Sequence, residues 1–181
     1  MSVLFERIAF AGLGHIGSSL CHAIRRGKIV THVAGYARSA KTRETAVRIG
    51  LVDSIHETAA DAVRNADLVI LCVPVGACGE VAAEMASALK PGAILTDVGS
   101  VKAAIVRDVA PHLPKGVEFI PGHPIAGTEQ SGPESGFAEL FHNRWCILTP
   151  LPGSDPDAVS RLEKFWQACG SNVELMTPEH H

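Results

Sequence analysis

The chain has 181 residues, of which 46% are hydrophobic, and its formal net charge at pH 7 is -3. This length corresponds to one large or two small domains, with enough apolar residues for a sizeable core. Nucleic acid is not an expected partner, because its binders usually carry a clustered basic face. The longest apolar run, Leu68–Val75, is far too short to cross a bilayer. Glu6 and Arg7 come too early for a signal peptide, so we expect a cytoplasmic protein without membrane contacts.

The five cysteines form no C-x-x-C pair, and the nine histidines show no spacing typical of zinc ligands. Cys21 lies on the first predicted helix, whereas Cys72 and Cys146 lie in apolar segments. We interpret them as small core residues of a protein in a reducing compartment. The sequence therefore predicts neither a disulfide framework nor a metal site.

A glycine-rich pattern begins close to the N-terminus. The segment Arg7–Ala11 predicts a buried strand, and Gly12-Leu13-Gly14-His15-Ile16-Gly17 follows with the G-x-G-x-x-G pattern of dinucleotide-binding βαβ units. Ile16, Leu20 and Ile24 then form one apolar helix face. The helix N-terminus offers free N–H groups and a positive dipole end to an anion. We predict that residues 12–17 bind the pyrophosphate of a cofactor, the alternative being a glycine-rich turn of another α/β protein.

Strands and helices alternate along the rest of the chain. Further strands are predicted at Val33–Ala37, Val52–Ile55, Leu68–Val73, Ala93–Asp97 and Val117–Ile120, with helices at Lys41–Ile49, Gly79–Leu89 and Val101–Ala110. Near the C-terminus we predict helices at Glu134–Phe141 and Pro156–Ala168 and strands at Cys146–Thr149 and Val173–Leu175. This alternation predicts an α/β fold of the Rossmann type, with a doubly wound, mainly parallel sheet.

The end of the second predicted strand bears on the choice of cofactor. NAD-specific sites place an acid there, about twenty residues beyond the glycines, to hold the ribose 2′-hydroxyl. This chain has Ala37 near that position, followed by Arg38 and Ser39, whose guanidinium and hydroxyl suit a 2′-phosphate. We therefore expect NADP to be preferred and NAD to be accepted as well. The alternative is that these are solvated residues at a helix start, which leave the site tolerant of both cofactors.

Two loops are expected at the nicotinamide end, because ligands of open α/β sheets lie at the carboxyl ends of the strands. Val73 and Pro74 leave the fourth strand there, and Ser100 follows the fifth. Ser100 stands directly before a predicted helix, so it acts as an N-cap or in the site, and these roles are compatible. Lys102 could assist an anionic ligand, but in a first helical turn we expect it to be solvated.

The segment Gly122-His123-Pro124-Ile125-Ala126-Gly127-Thr128-Glu129 places an imidazole between glycines and a proline. The apolar strand before it is expected to deliver His123 to a sheet edge, where it is better suited to act on a ligand than to fill a core. Because imidazole titrates close to neutral pH, His123 can accept a proton there. The alternative is a loop histidine with a purely structural role.

Three motifs in this order resemble the prephenate/arogenate (cyclohexadienyl) dehydrogenases of tyrosine biosynthesis. They are residues 12–20, the segment Thr96-Asp97-Val98-Gly99-Ser100-Val101-Lys102 and residues 122–132. The resemblance implies that His123 is the catalytic histidine and that Ser100 is its hydroxyl partner beside the nicotinamide. It also implies that Thr128 and the loop after it border the substrate pocket.

The resemblance implies oxidative decarboxylation of prephenate and/or arogenate, with hydride transfer to NAD(P)+ and His123 accepting the 4-hydroxyl proton. Members of this family continue into a helical domain that dimerises, so we expect residues 1–176 to be the NAD(P)-binding domain and residues 177–181 to begin a missing helical domain. The 181-residue chain alone is expected to be inactive. The residues that distinguish prephenate from arogenate are expected beyond residue 181. Alternatives are a dehydrogenase of the β-hydroxyacid group, a non-catalytic NADP-binding domain and an interaction module that dimerises without turnover.

Overall fold

A six-stranded parallel sheet forms the larger part of the computed structural model, which describes residues 2–181. Its strands are β1 (Phe5–Ala11), β2 (Val30–Tyr36), β3 (Ser54–His56), β4 (Leu68–Leu71), β5 (Ile94–Asp97) and β6 (Glu118–Phe119). They lie in the order β3-β2-β1-β4-β5-β6, and every neighbouring pair is parallel. This is the strand order of a Rossmann-type sheet. The order in which the chain adds strands reverses between β1 and β4. The predicted fold class is confirmed.

Helices cover both faces of this sheet. They are α1 (His15–Gly27), α2 (Ala40–Arg48), α3 (Ala59–Val63), α4 (Cys78–Met85), α5 (Lys102–Val109) and α6 (Pro156–Ala168). The side chains of β1 alternate between two apolar clusters, as a strand buried on both faces requires. Ile8 and Phe10 join the cluster that contains Trp166 of α6, whereas Ala9 and Ala11 join the cluster of α3, α4 and α5.

Three short strands form a second sheet that the sequence does not predict. They are β7 (Gly122–Pro124), β8 (Trp145–Leu148) and β9 (Asn172–Leu175), in the order β7-β8-β9. β7 pairs with β8 antiparallel, and β8 pairs with β9 parallel. His123, which the sequence predicts in a loop after the sixth strand, lies instead in the strand β7 of this second sheet. The chain leaves the large sheet and starts the small one at Gly122.

One other predicted element differs from the structure, and one helix of the structure was not predicted. The segment predicted as a helix at Glu134–Phe141 forms two separate 3-10 turns, Pro133–Ser135 and Ala138–Phe141. Gly136 separates them, and its backbone packs so closely on Ser18 and Ser19 of α1 that a side chain would not fit there. The short helix α3, which the sequence analysis misses, begins after Thr58, whose hydroxyl accepts the Asp61 N–H at 3.1 Å.

The five cysteines are free thiols, and all but Cys72 are buried. Burial raises the pKa of Cys21 and Cys169 to about 12, so these thiols stay protonated and unreactive at neutral pH. The prediction of core positions is confirmed for Cys21 and Cys146, whereas Cys72 is only half-buried and packs against the same core. Within residues 2–181, no helix combines the length and the apolar character needed to cross a membrane.

Candidate active site

The glycine turn joins β1 to α1 at the point where the strand order reverses. Gly12 has φ +106°, and a Cβ there would lie 2.6 Å from the carbonyl oxygen of Cys72. A Cβ on Gly17 would lie 2.7 Å from the Gly12 carbonyl oxygen. Both positions therefore require glycine for the turn and for the close approach of α1 to the sheet.

The space beside Gly14 is open, since a Cβ at this position would meet nothing within 4 Å. Gly14 is the N-cap residue of α1, no side chain caps the helix, and its first turn carries no acid. The N-terminus of α1 is thus free to receive an anion through its N–H groups and its dipole. Leu13 is buried behind the turn, and Leu20 and Ile24 are buried on the predicted helix face. This geometry fits the pyrophosphate of a dinucleotide.

The end of β2 carries no acid, because Ala37 occupies this position and is buried. Arg38 and Ser39 follow on the surface. The Ser39 hydroxyl caps α2 by accepting the Thr42 N–H at 3.4 Å, and the Arg43 guanidinium donates to the carbonyl oxygens of Ala37 and Arg38 at 2.8 and 3.0 Å. The Arg38 side chain itself makes no ion pair within residues 2–181. Its guanidinium is therefore available to a ligand.

The segment after β4 lies against the glycine turn. The Val73 nitrogen would be 3.1 Å from a Cβ on Gly12, and the Pro74 carbonyl oxygen accepts the N–H of Ala77 at 2.8 Å. Val73 and Pro74 thus lie at the carboxyl edge of the sheet, next to the turn that the sequence assigns to the cofactor.

Ser100 is exposed, and it does not cap α5. The N-cap residue of that helix is Val101, and no side chain there accepts a hydrogen bond from the helix. The prediction of an N-cap is therefore wrong, because the helix begins one residue later than expected. The Ser100 hydroxyl is left free for a ligand at the carboxyl edge of β5.

Asp97, the last residue of β5, is fully buried and receives two backbone N–H groups. Its Oδ2 accepts the Gly99 N–H at 2.8 Å, and its Oδ1 accepts the Gly122 N–H at 3.1 Å. One carboxylate thus binds the residue directly before Ser100 and the residue directly before His123. The two predicted catalytic side chains are thereby brought to the same edge of the sheet from positions 23 residues apart.

The expectation that Lys102 is solvated is wrong. Lys102 is 1% exposed, and its Nζ donates to Asp97 Oδ2 at 2.5 Å and to the carbonyl oxygen of Gly122. Burial raises the pKa of Asp97 and lowers the pKa of Lys102, while each partner's opposite charge acts against these shifts. A carboxylate at the end of a buried strand requires a cation or several hydrogen-bond donors. The position of Asp97 at the end of an apolar strand was therefore the feature of the sequence that could have predicted a buried Lys102.

His123 lies in the middle of β7, opposite Ile147 of β8, and is partly buried. Its Nδ1 is 2.9 Å from Nε2 of His181, a contact that the sequence analysis does not predict. Burial is the first cause that lowers the pKa of His123, followed by the positive potential of His181 and of Lys102. The imidazole is thus kept neutral at pH 7, as a proton acceptor requires.

The loop after β7 folds back onto the glycine turn. His15 Nδ1 is 2.9 Å from Ser135 Oγ, and His15 Nε2 is 3.3 Å from Thr128 Oγ1. The Ser135 hydroxyl donates to the Gly132 carbonyl oxygen at 2.7 Å, so it accepts a proton from His15 Nδ1, and Nε2 is left to accept from Thr128. The predicted substrate residue Thr128 is therefore attached to the predicted pyrophosphate turn.

A cavity of about 450 Å³ opens beside this loop. Its walls come from the segment after His123, from the 3-10 turn before β8 and from the residues between that turn and β8; they include Ile125, Thr128, Phe137, Glu139, Leu140 and Arg144. The cavity therefore combines apolar walls with a carboxylate and a guanidinium.

Comparisons with known proteins agree with this geometry. The chain matches the family model described as prephenate dehydrogenase, nucleotide-binding domain, over residues 20–175. It is 43% identical over 178 residues to a cyclohexadienyl dehydrogenase from Zymomonas mobilis, a match that covers 98% of this chain and 60% of that protein.

Two solved structures are similar at TM-score 0.89 and 33% identity, covering 97% of this chain and 61% of theirs. They are prephenate dehydrogenase from Aquifex aeolicus in complex with hydroxyphenyl propionate and NAD+, and Synechocystis arogenate dehydrogenase. The chain therefore spans about 60% of the length of these relatives. Because the family match extends from α1 to β9 and includes Ser100 and His123, this chain belongs to the prephenate dehydrogenase nucleotide-binding domain family.

Proposed function

We propose that this chain is the cofactor-binding part of a dehydrogenase that oxidatively decarboxylates prephenate and/or arogenate in tyrosine biosynthesis, with hydride transfer to NAD(P)+. The observation that carries this proposal is that Asp97 binds both Gly99 and Gly122, the residues directly before Ser100 and His123, at the sheet edge where residues 12–17 open toward a dinucleotide. Its relatives named prephenate, arogenate and cyclohexadienyl dehydrogenase support the substrate class.

His123 acts as the general base. For its Nε2 to accept a proton, its Nδ1 carries the ring hydrogen and donates to His181 Nε2 across the 2.9 Å contact. His123 Nε2 then takes the proton of the substrate 4-hydroxyl, and Ser100 donates a hydrogen bond that orients the same oxygen. When bound, the nicotinamide would supply the hydride acceptor for C4 of the substrate. Loss of the ring carboxylate as CO2 then leaves an aromatic ring, and His123 returns its proton to the phenolate oxygen. Holding donor, acceptor and base in line is the main contribution of the protein.

The pyrophosphate of the cofactor would be held by residues Gly12, Leu13, Gly14, His15, Ile16 and Gly17, and Val73, Pro74 and Ser100 would border its nicotinamide. We propose that NADP is preferred over NAD. Arg38 supports this preference because its side chain makes no ion pair and follows an acid-free strand end. Ser39 contributes less to the preference, since its hydroxyl already caps α2.

Thr128 and the cavity beside it border the substrate. The remainder of the substrate site and the homodimer are proposed to come from a helical domain that begins at residues 177–181. The buried free thiols agree with a reducing cytoplasm.

Initial rates of the full-length protein with prephenate and with arogenate, each with NADP+ and with NAD+, test the function. We expect reduction of the nicotinamide with at least one substrate and a higher kcat/KM with NADP+. The 181-residue chain alone is the matched control, expected to bind NADP but to turn over negligibly, because remote binding groups contribute to orientation of the reacting carbon. A full-length protein that binds NADP without oxidising either substrate would contradict the proposal and favour a non-catalytic cofactor-binding domain.

A further inference from the structure

We propose that the buried pair formed by Asp97 and Lys102 is the positioning device of this site, which sets the strand of His123 against the loop of Ser100. This inference rests on the proposed function, since it concerns the alignment of the base and its hydroxyl partner. Neither Asp97 nor Lys102 is proposed to touch the substrate, so both are positioning residues.

The pair holds Gly122 through both of its backbone groups. Asp97 accepts the Gly122 N–H at 3.1 Å, and Lys102 donates to the Gly122 carbonyl oxygen. Asp97 also accepts the Gly99 N–H at 2.8 Å, and the Lys102 ammonium closes the network at 2.5 Å from Asp97 Oδ2. A movement of either charged side chain therefore displaces the backbone on the N-terminal side of His123, of Ser100, or of both.

The glycines in this network permit its short distances. A Cβ on Gly122 would lie 3.0 Å from the carbonyl oxygen of Asp97, and a Cβ on Gly99 would lie 3.1 Å from Asp97 Oδ2. The two segments thus approach the carboxylate more closely than residues with side chains would allow. This approach joins the small sheet to the carboxyl edge of the large sheet.

Stability alone does not account for such a pair. Both side chains are 0% exposed, and a buried ion pair is often no more stabilising than apolar residues of the same volume. A buried pair of ions does, however, demand one geometry, because each unpaired charge or unpaired N–H would be costly. The geometry required here fixes the positions of Gly122 and Gly99, the residues directly before His123 and Ser100.

A second aspartate–lysine pair, which is partly exposed whereas the first is fully buried, provides a control at the opposite edge of the sheet. Lys90 Nζ binds Asp67 Oδ1, and Asp67 Oδ2 accepts the N–H of Arg7 at 2.9 Å. Here too, a carboxylate receives a lysine and a backbone N–H. This pair lies before β4 and β5, on the side away from the glycine turn, so its loss should leave the reacting groups in place.

The experiment compares the double variant Asp97→Leu/Lys102→Met, the single variant Lys102→Met and the control Lys90→Met in the full-length enzyme. The double variant removes both charges and so avoids an unpaired buried carboxylate, but it leaves the N–H groups of Gly99 and Gly122 without their acceptor. Its Tm is therefore measured first, to establish that it is folded. We expect the double variant to keep its Kd for NADP within about twofold and to lose about 10- to 100-fold in kcat, as expected for reacting groups misplaced by about 1 Å. Lys90→Met should lower the Tm without changing kcat.

A spectroscopic readout tests whether the Lys102 charge acts on His123. His181, Lys102 and Asp97 are the ionisable side chains around His123, together with Cys146 on the neighbouring strand, whose pKa is raised by burial. Titration of His123 Cε1 by NMR in the 181-residue chain should show a pKa closer to its ordinary value in Lys102→Met, because the nearby cation is gone. The same titration of Lys90→Met should match the wild-type curve.

His123→Asn in the same assay distinguishes the two proposals. Loss of turnover in His123→Asn together with a wild-type kcat in a folded Asp97→Leu/Lys102→Met variant would overturn the positioning role and leave the function intact. Wild-type turnover in His123→Asn would instead contradict the proposed base. Equal losses of kcat in Lys90→Met and in the double variant would also overturn the inference, since they would indicate an effect of stability alone.

Discussion

The two halves of the candidate site are built in different ways. The glycine turn at residues 12–17 is a backbone structure, in which missing side chains create both the turn and the open space for a ligand. The His123 region depends on side chains that are distant in the sequence, because Gly122 is held by Asp97 and Lys102 and the ring of His123 meets His181. The glycine turn therefore follows from local chain geometry, whereas the position of His123 follows from long-range packing.

Substitution of His123 should have the largest effect and tests the proposed role of the His123 region. His123→Asn in the full-length enzyme should lower kcat on the order of 10²–10⁴-fold, because a general base is lost. The Kd for NADP should stay unchanged, since the glycine turn makes no use of this ring. Stopped-flow rates and cofactor titrations measure the two quantities. Ser100→Ala serves as the milder companion, and a His123→Asn enzyme with wild-type turnover would refute the assignment.

Substitution of alanine at two glycines tests the roles of the backbone in the glycine turn at residues 12–17. Gly12→Ala places a Cβ 2.6 Å from the Cys72 carbonyl oxygen at a φ of +106°, so it should destabilise the fold by about 1–3 kcal/mol. Gly14→Ala meets nothing within 4 Å in the free chain and should leave the Tm nearly unchanged. It should nevertheless weaken NADP binding about tenfold, because its methyl group intrudes where charged phosphate oxygens meet N–H donors. Wild-type NADP affinity in Gly14→Ala would argue against the predicted pyrophosphate site.

Substitution of Arg38, which lies outside the glycine turn, tests the preference for NADP. Arg38→Ala should weaken NADP binding by about 1.5–3 kcal/mol, the contribution of a charged hydrogen bond, and leave NAD binding unaffected. Isothermal titration of both cofactors against the 181-residue chain measures the difference. Arg64→Ala, an exposed arginine paired with Asp61, is the control. Equal affinities for NADP and NAD in the wild-type chain would remove the basis for the preference.

The smallest expected effect is a shift in pH dependence. His123 must be neutral to accept a proton, and burial lowers its pKa below the ordinary 6.5. The acid limb of the kcat/KM profile should therefore fall below pH 6.5, with activity lost as the pH decreases through the lowered pKa. His181→Phe should move this limb upward, because the positive potential of His181 contributes to the shift. An acid limb above pH 6.5 in the wild-type enzyme would contradict the assigned environment of His123.

The sequence by itself determined the features that depend on local geometry. The spacing of the glycines indicated the turn at residues 12–17, and the periodicity of Ile16, Leu20 and Ile24 indicated the apolar face of α1. The alternation of strands and helices predicted the Rossmann-type sheet, which the structure confirms. These signals are reliable because turn conformation and strand or helix periodicity are set by residues close together in the chain. The roles of Ser100, His123 and Thr128 remain proposals.

Only the tertiary structure decided which polar side chains are buried and what they bind. Lys102 resembles a solvated lysine in a first helical turn, and its burial becomes evident only when Gly122, 20 residues later, closes over it. The same applies to the His123–His181 contact, which spans 58 residues, and to the second sheet formed by β7, β8 and β9. The physical reason is that the energy of a buried charge depends on the partners the fold brings to it, and a local sequence pattern does not specify those partners.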